Sequence, residues 1–98
     1  MNAEEVLARL RQNETALRAR GVSHVALFGS RARGDDRPDS DIDIMIEFDP
    51  AARVTVFNYA GLKDYIAGLF DSPVDIVSRE GLKSYVRPGA KVDAIYAF

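Results

Sequence analysis

The sequence predicts an α/β domain in which a small mixed β-sheet has helices packed on one face. Short apolar runs typical of strands alternate with longer segments whose apolar residues recur at helical spacing. These segments follow one another as helix, strand, loop, strand, helix, strand and helix. A chain of 98 residues can build one modest hydrophobic core, so we expect a single domain over residues 1–98.

The composition is typical of a globular protein and excludes several classes of site. Apolar residues make up 47% of the chain and charged residues 29%. Without cysteine, neither disulfides nor thiolate zinc sites can form. A net charge of −2 gives no basic surface, so we expect no direct nucleic-acid binding. No apolar run has the length of a membrane span and Met1 leads into charged residues, so we expect a cytoplasmic protein without membrane contact.

The first two elements are predicted to be a helix and a short strand. Asn2 and Glu5 resemble a capping box at the start of a helix that continues to Gly21. Its apolar positions at helical spacing are Val6, Leu7, Leu10 and Leu17. Residues 22–28 form an apolar strand. The single histidine, His24, lies at the start of this strand, where a partly exposed structural role fits better than a catalytic one.

The segment between the first two strands carries the candidate chemistry. The first apolar run ends in Gly29-Ser30, a polar loop of ten residues follows, and Asp41-Ile42-Asp43 opens the second run. In that second run isoleucines alternate with Asp and Met, as in a strand with one buried face. We therefore expect Asp41 and Asp43 to lie side by side on the face away from the core.

The two neighbouring carboxylates indicate a metal site. Like charges at this spacing repel each other and require compensation, for which Mg²⁺ is the usual ion beside phosphate substrates. The pair therefore predicts metal-assisted phosphoryl chemistry. A solvated hairpin in which Asp41 and Asp43 only face water is the alternative, because two aspartates on a strand are weak evidence by themselves.

The residues around the glycine-serine pair are suited to binding a polyphosphate. Gly29 allows close approach of the backbone to phosphates, and Ser30 adds a hydroxyl that can also cap a helix. Arg31 and Arg33 are permanently charged donors in the adjacent loop, and either can contact phosphate oxygens.

The second half of the chain is predicted to add a helix, a strand and a short last helix. Asp49-Pro50 separates the second strand from the helix. The helix has apolar positions at Val56, Phe57, Ala60, Leu62, Tyr65, Ile66, Leu69 and Phe70, which we assign mainly to the core, although Phe57, Tyr59 and Tyr65 can also form an aromatic patch. Residues 78–86 predict the last helix, capped by Ser78, and the tail ends in a short edge strand.

The third strand, residues 74–77, carries Asp75 in the middle of its apolar run. A buried carboxylate is costly without a partner, so we expect Asp75 to face the same metal as Asp41 and Asp43 if the two strands are neighbours. The alternative is an Asp75 at the sheet edge that contacts solvent or an arginine.

These motifs resemble a known signature. Gly29-Ser30, ten intervening residues and Asp41-Ile42-Asp43 are similar to the signature of the nucleotidyltransferase fold in the DNA polymerase beta superfamily. Within it, the chain most resembles the minimal nucleotidyltransferase (MNT) antitoxins that pair with HEPN toxins. The resemblance implies that Asp41, Asp43 and Asp75 bind two Mg²⁺ ions and that Gly29-Ser30 holds the nucleoside triphosphate.

The same resemblance implies a reaction and a partner. We expect transfer of AMP from ATP to a tyrosine hydroxyl of a HEPN ribonuclease toxin, which inactivates the toxin in a complex of the two proteins. A non-catalytic antitoxin that acts by binding is one alternative, but clustered carboxylates disfavour a disused site. A nucleotidyltransferase acting on a small molecule such as an aminoglycoside is the other, disfavoured because no residues remain for an acceptor-binding domain.

Overall fold

The computed structural model describes residues 2–29, 41–79 and 94–98. In chain order these ranges contain α1 (Ala3–Gln12), α2 (Glu14–Ala19), β1 (Val22–Phe28), β2 (Ile42–Phe48), α3 (Val56–Ala67), β3 (Val74–Ser78) and β4 (Ile95–Tyr96). Ser78 ends β3 and Arg79 is the first helical residue after it, while the rest of the predicted last helix lies outside the described residues, so the cap by Ser78 stays a prediction. No helix in these ranges is long and apolar enough to cross a membrane.

The strands form one mixed sheet in the order β3-β2-β1-β4. β1 is antiparallel to both β2 and β4, whereas β2 and β3 are parallel and are connected through α3. The mixed sheet and the C-terminal edge strand are confirmed. Among the described strands, β2 and β1 therefore occupy the centre of the sheet, and β3 and β4 are its edges.

The hydrophobic core lies between the helices and one face of the sheet. Ile42, Ile44 and Ile46 of β2 are completely buried there, as the alternating pattern predicted. Each isoleucine buried in this way contributes about 1.5–3 kcal/mol to folding. Completely buried core residues on other elements include Val6, Leu10, Leu17, Val25, Leu27 and Ile66. The opposite face carries the polar residues of β2.

The N-terminal segment forms two helices where the sequence predicted one. The Asn2 side chain caps α1 by accepting a hydrogen bond of 2.8 Å from the Glu5 N–H. The helix then breaks at Asn13, whose side-chain amide donates to the Arg9 carbonyl at 2.8 Å and whose Oδ1 accepts from the Tyr65 hydroxyl at 2.7 Å. Asparagine competes with helical hydrogen bonds in this way, and apolar spacing carries no sign of it.

α3 contributes fewer core residues than its composition predicted. A capping box between Thr55 and Asn58 fixes its first turn. Val56 and Phe57 lie in this turn and remain 82% and 87% exposed, so their assignment to the core was wrong. Leu62 and Ile66, one turn apart, are the buried residues of the helix. Leu69 and Phe70 follow the helix end and still pack against the core.

Glu47 connects three strands on the face opposite the helices. Its Oε1 accepts a hydrogen bond of 2.7 Å from Arg79, one residue after β3, and its Oε2 accepts one of 2.9 Å from the Tyr96 hydroxyl on β4. His24 lies opposite Glu47 on β1 and makes an edge contact with the Tyr96 ring. His24 is exposed, in agreement with its predicted structural role.

This network predicts an acid-dependent loss of stability. Burial raises the pKa of Glu47, but hydrogen bonds from Arg79 and Tyr96 and the charges of Arg79 and His24 outweigh burial and hold the pKa below its ordinary 4.5. The ionised carboxylate therefore stabilises the fold above that value, and this contribution is lost as the pH falls through the lowered pKa.

We expect Glu47→Gln to reduce the free energy of unfolding by about 1 kcal/mol at neutral pH, because the charge-assisted hydrogen bonds are weakened. Urea denaturation of both proteins from neutral pH to below pH 4.5 tests this. The difference between them should shrink as the pH falls, and a constant difference would contradict the role of the charge.

Candidate active site

The predicted acidic residues gather at one end of the sheet. β2 and β3 are neighbours, as the metal hypothesis required, and their parallel register places Asp43 directly beside Asp75. Phe28, the last residue of β1, is the partner of Asp43 on the other side. Asp41 lies two residues before Asp43, where β2 begins, and is exposed. The end of β1, the start of β2 and the start of β3 thus form one acidic edge.

Gly29 packs directly against Asp43. Its φ of +77° lies in the left-handed region, where residues with a Cβ are strained. A Cβ built at Gly29 would overlap Asp43 Oδ2 and would lie 3.2 Å from its Cγ and 3.3 Å from its Cβ. The missing side chain therefore leaves the space that the Asp43 carboxylate occupies, and this carboxylate is partly buried.

Asp75 differs from its prediction in one respect. It is exposed on the edge strand β3, so the argument that a buried carboxylate needs a partner was wrong. Asp75 lies beside Asp43 because the two residues are partners in the parallel register of β2 and β3. Burial raises the pKa of Tyr59 above 10.0, and the negative charge of Asp75 raises it further. The Asp75 charge therefore acts on Tyr59 of α3.

The acidic edge has the donor chemistry that Mg²⁺ prefers. Asp43 and Asp75 supply oxygen atoms from adjacent positions of neighbouring strands. Within the described ranges, no three histidine, aspartate or glutamate side chains are close enough together to hold a metal as they stand. Mg²⁺ is usually held by one or two carboxylates together with water and substrate phosphates, so the aligned pair fits such an ion.

The predicted phosphate-binding residues other than Gly29 lie outside the described residues. These are Ser30, Arg31 and Arg33. Gly29 directly follows β1 at the acidic edge, so the chain leaves the strand towards the predicted phosphate loop beside Asp43. The sequence predicted that this loop begins near the two aspartates, and Gly29 lies beside Asp43. The contacts of Ser30, Arg31 and Arg33 stay a prediction.

Comparison with known proteins identifies the family. Residues 5–97 match the family described as "Nucleotidyltransferase domain". The chain belongs to the nucleotidyltransferase domain family. The match includes all four strands, the acidic edge and the glycine-serine pair.

Relatives of this nucleotidyltransferase domain share its length and fold. It is 30% identical to protein adenylyltransferase MntA of Thermococcus cleftensis over 98% of this chain and 96% of the relative. A solved structure named as a minimal nucleotidyltransferase is 38% identical, with a TM-score of 0.73 over 97% of this chain and 95% of that one. The mixed sheet with helices on one face is thus the minimal nucleotidyltransferase fold.

A third comparison concerns a complex. The structure of a tri-AMPylated HEPN toxin of Shewanella oneidensis with an MNT antitoxin matches with a TM-score of 0.59, at 20% identity, over 91% of this chain and 70% of that one. At this identity the likeness establishes the shared fold.

Sequence reasoning about the nucleotidyltransferase domain overlooked Glu47. Glu47 follows Asp41, Asp43 and Met45 at every second position along β2. This alternation was the signal in the sequence that Glu47 lies on the same face as the aspartates. Its partners Arg79 and Tyr96 are far away in sequence, so only the strand order brings them to the same face.

Proposed function

We propose that this chain is a Mg²⁺-dependent protein adenylyltransferase that neutralises a HEPN toxin by transferring AMP from ATP to one of its tyrosine hydroxyls. The alignment of Asp43 with Asp75 beside Gly29 is the observation that carries the proposal, since carboxylates of two strands then lie where the chain leaves β1. Similarity to a protein adenylyltransferase over nearly the whole chain supports the choice of reaction.

In the proposed reaction the acceptor oxygen attacks the α-phosphorus of ATP, and the bond from that phosphorus to the bridging oxygen of pyrophosphate breaks. Asp75 accepts the hydroxyl proton. Asp41, Asp43 and Asp75 would hold two Mg²⁺ ions, which when bound would neutralise phosphate charge and make the acceptor hydroxyl more acidic.

The phosphate loop has the second role in the proposal. Gly29 and Ser30 bind the triphosphate through backbone N–H groups and a hydroxyl, and Arg31 or Arg33 neutralises the charge that develops on the leaving pyrophosphate. The conformation of Gly29 supports this assignment, because a glycine with positive φ lets the backbone turn sharply beside Asp43.

A partner protein completes the proposed site. One domain of this size has little surface with which to grip an acceptor, so the toxin itself positions its tyrosine at the acidic edge. The HEPN partner of the Shewanella oneidensis antitoxin supports this choice of partner. Both ATP and a ribonuclease toxin are encountered in the cytoplasm, where we place the reaction, without membrane or nucleic-acid binding by this chain.

The test follows a label from ATP. The purified chain is incubated with Mg²⁺ and the protein encoded by the adjacent gene, in parallel with ATP labelled at the α- or the γ-phosphate. We expect α-label, and no γ-label, on a tyrosine of the partner, since nucleotidyl transfer retains the α-phosphate and releases the other two. Mass spectrometry identifies the modified residue.

Each other outcome contradicts a specific part of the proposal. A tight complex without label would indicate an antitoxin that acts by binding. Label on an added aminoglycoside, with none on protein, would indicate a small-molecule acceptor. γ-Label on the partner would indicate a kinase reaction and would overturn the assignment of the leaving group.

A further inference from the structure

A polar cavity lies at the end of the sheet opposite the acidic edge. It has a volume of about 370 Å³ and is formed by the end of α2, the β2–α3 connection and the first turn of α3. The side chains with hydrogen-bonding groups that line it are Arg20, Arg53 and Asn58. Because β2 is seven residues long, the cavity is about 20 Å from Asp43. It is therefore separate from the proposed transfer site.

The lining side chains offer many more hydrogen-bond donors than acceptors. Both arginines are permanently charged donors. The Asn58 Oδ1 already accepts the Thr55 N–H at 3.2 Å, so the amide nitrogen is the part of Asn58 left to face the cavity. Among the residues that the structure describes, neither Arg20 nor Arg53 forms an ion pair. A cavity with these properties is complementary to an anion.

Arg20 is held in place without an acidic partner. Its guanidinium lies over the Tyr65 ring at 4.8 Å from the ring centroid. The Tyr65 hydroxyl is in turn anchored by its 2.7 Å hydrogen bond to Asn13. Gly61, between Asn58 and Tyr65 on α3, lies next to this guanidinium, and a Cβ there would be in ordinary van der Waals contact with its Nη1 at 3.8 Å. The ring contact favours one position of this long, exposed side chain, which reduces the entropic cost of binding a ligand there.

We propose that this cavity is a binding site for a phosphate-bearing ligand. Phosphate has more acceptor oxygen atoms and a larger negative charge than a carboxylate, so it is better suited to engage two guanidinium groups and an amide at once. The volume accommodates a pyrophosphate or a nucleoside monophosphate, in the lower part of the usual range for ligand sites. The proposal does not rest on the transfer reaction, because none of its residues belongs to the acidic edge.

The test uses inorganic pyrophosphate and AMP as probes, with EDTA present so that no metal can recruit phosphate to the acidic edge. In ¹H–¹⁵N correlation spectra we expect both probes to shift the amide signals of Arg20 and residues 52–58 and to leave those of Gly29, Asp43 and Asp75 in place. The probe that binds more tightly identifies the source of the phosphate, free pyrophosphate or nucleotide.

Three variants distinguish specific binding in the cavity from nonspecific attraction of the anionic probes to positive charge on the protein. We expect Arg20→Gln with Arg53→Gln to weaken binding at least about tenfold through loss of two charge-assisted contacts. Lys63→Gln removes a charge from an exposed position of α3 outside the cavity and should change affinity less than about twofold. Tyr65→Phe keeps the ring but loses the anchor to Asn13, and it should weaken binding less than the double substitution.

The proposal is overturned if pyrophosphate and AMP produce no saturable shifts at millimolar concentrations, or if the shifts map to the acidic edge. Equal weakening by Lys63→Gln and by the double arginine substitution would also overturn it, because that result requires only net charge. Circular dichroism and thermal melting of every variant confirm that the folded protein is being compared.

Discussion

Asp43→Asn is expected to reduce AMP transfer by at least about 10²- to 10³-fold, the loss typical of removing one preorganised electrostatic group. Asparagine has nearly the shape of aspartate, so the fold should persist, while the negative charge at the centre of the acidic edge is lost. Asp43 is aligned with Asp75 and packed against Gly29. The rate of α-label transfer from ATP to the partner measures the effect.

The matched control for this variant is Asp64→Asn. It removes the same charge from an exposed position on α3, away from the acidic edge, and should leave the transfer rate within about twofold. Thermal melting shows whether both variants are folded. If folded Asp43→Asn transfers AMP at the rate of the unsubstituted protein, the assignment of the acidic edge as the catalytic site is wrong.

Gly29→Ala is expected to damage both stability and transfer. The positive φ of this residue costs about 1–2 kcal/mol once a Cβ is present. The new methyl group would overlap the Asp43 carboxylate, so that carboxylate has to leave its position. We therefore expect transfer, corrected for the folded fraction, to fall by at least about 10²-fold, in parallel with Asp43→Asn.

Gly21→Ala separates backbone strain from damage to the site. Gly21 has a φ of +94°, and a Cβ there would lie 3.0 Å from the Ala52 Cβ, at the opposite end of β1. This substitution should lower the free energy of unfolding by a similar amount. Transfer per folded molecule should be largely retained. If Gly21→Ala and Gly29→Ala reduce that corrected rate equally, the contact between Gly29 and Asp43 has no special role.

The sequence was sufficient to predict the centre of the molecule. Residues 22–28 were predicted as β1 and form that strand. The alternation of isoleucines with polar residues in β2 predicted which face is buried, because a strand places successive side chains on opposite faces. Asp75 was predicted to join Asp43 on a neighbouring strand, and the register confirms that neighbourhood. Whether these carboxylates bind metal stays a prediction.

The errors have physical causes that one-dimensional patterns do not contain. Asn13 interrupts the first helix through hydrogen bonds to Arg9 and Tyr65, and the second of these partners is remote in sequence. Val56 and Phe57 are apolar, yet they lie in the first turn of α3, beyond the part that packs on the sheet. Asp75 is exposed because β3 is an edge strand, and strand order cannot be read from the composition of a strand.

The strand order determines how easily the carboxylates of the acidic edge separate from each other. Asp43 belongs to a strand hydrogen-bonded on both sides, whereas Asp75 belongs to one with a neighbour on a single side. Outer strands open locally at a smaller free-energy cost than inner ones. Brief detachment of β3 would separate the two carboxylates and expose Ile76, while the core residues of the central strands β1 and β2 stay packed. Local opening of β3 therefore separates the carboxylates of the proposed site at a lower free-energy cost than global unfolding does.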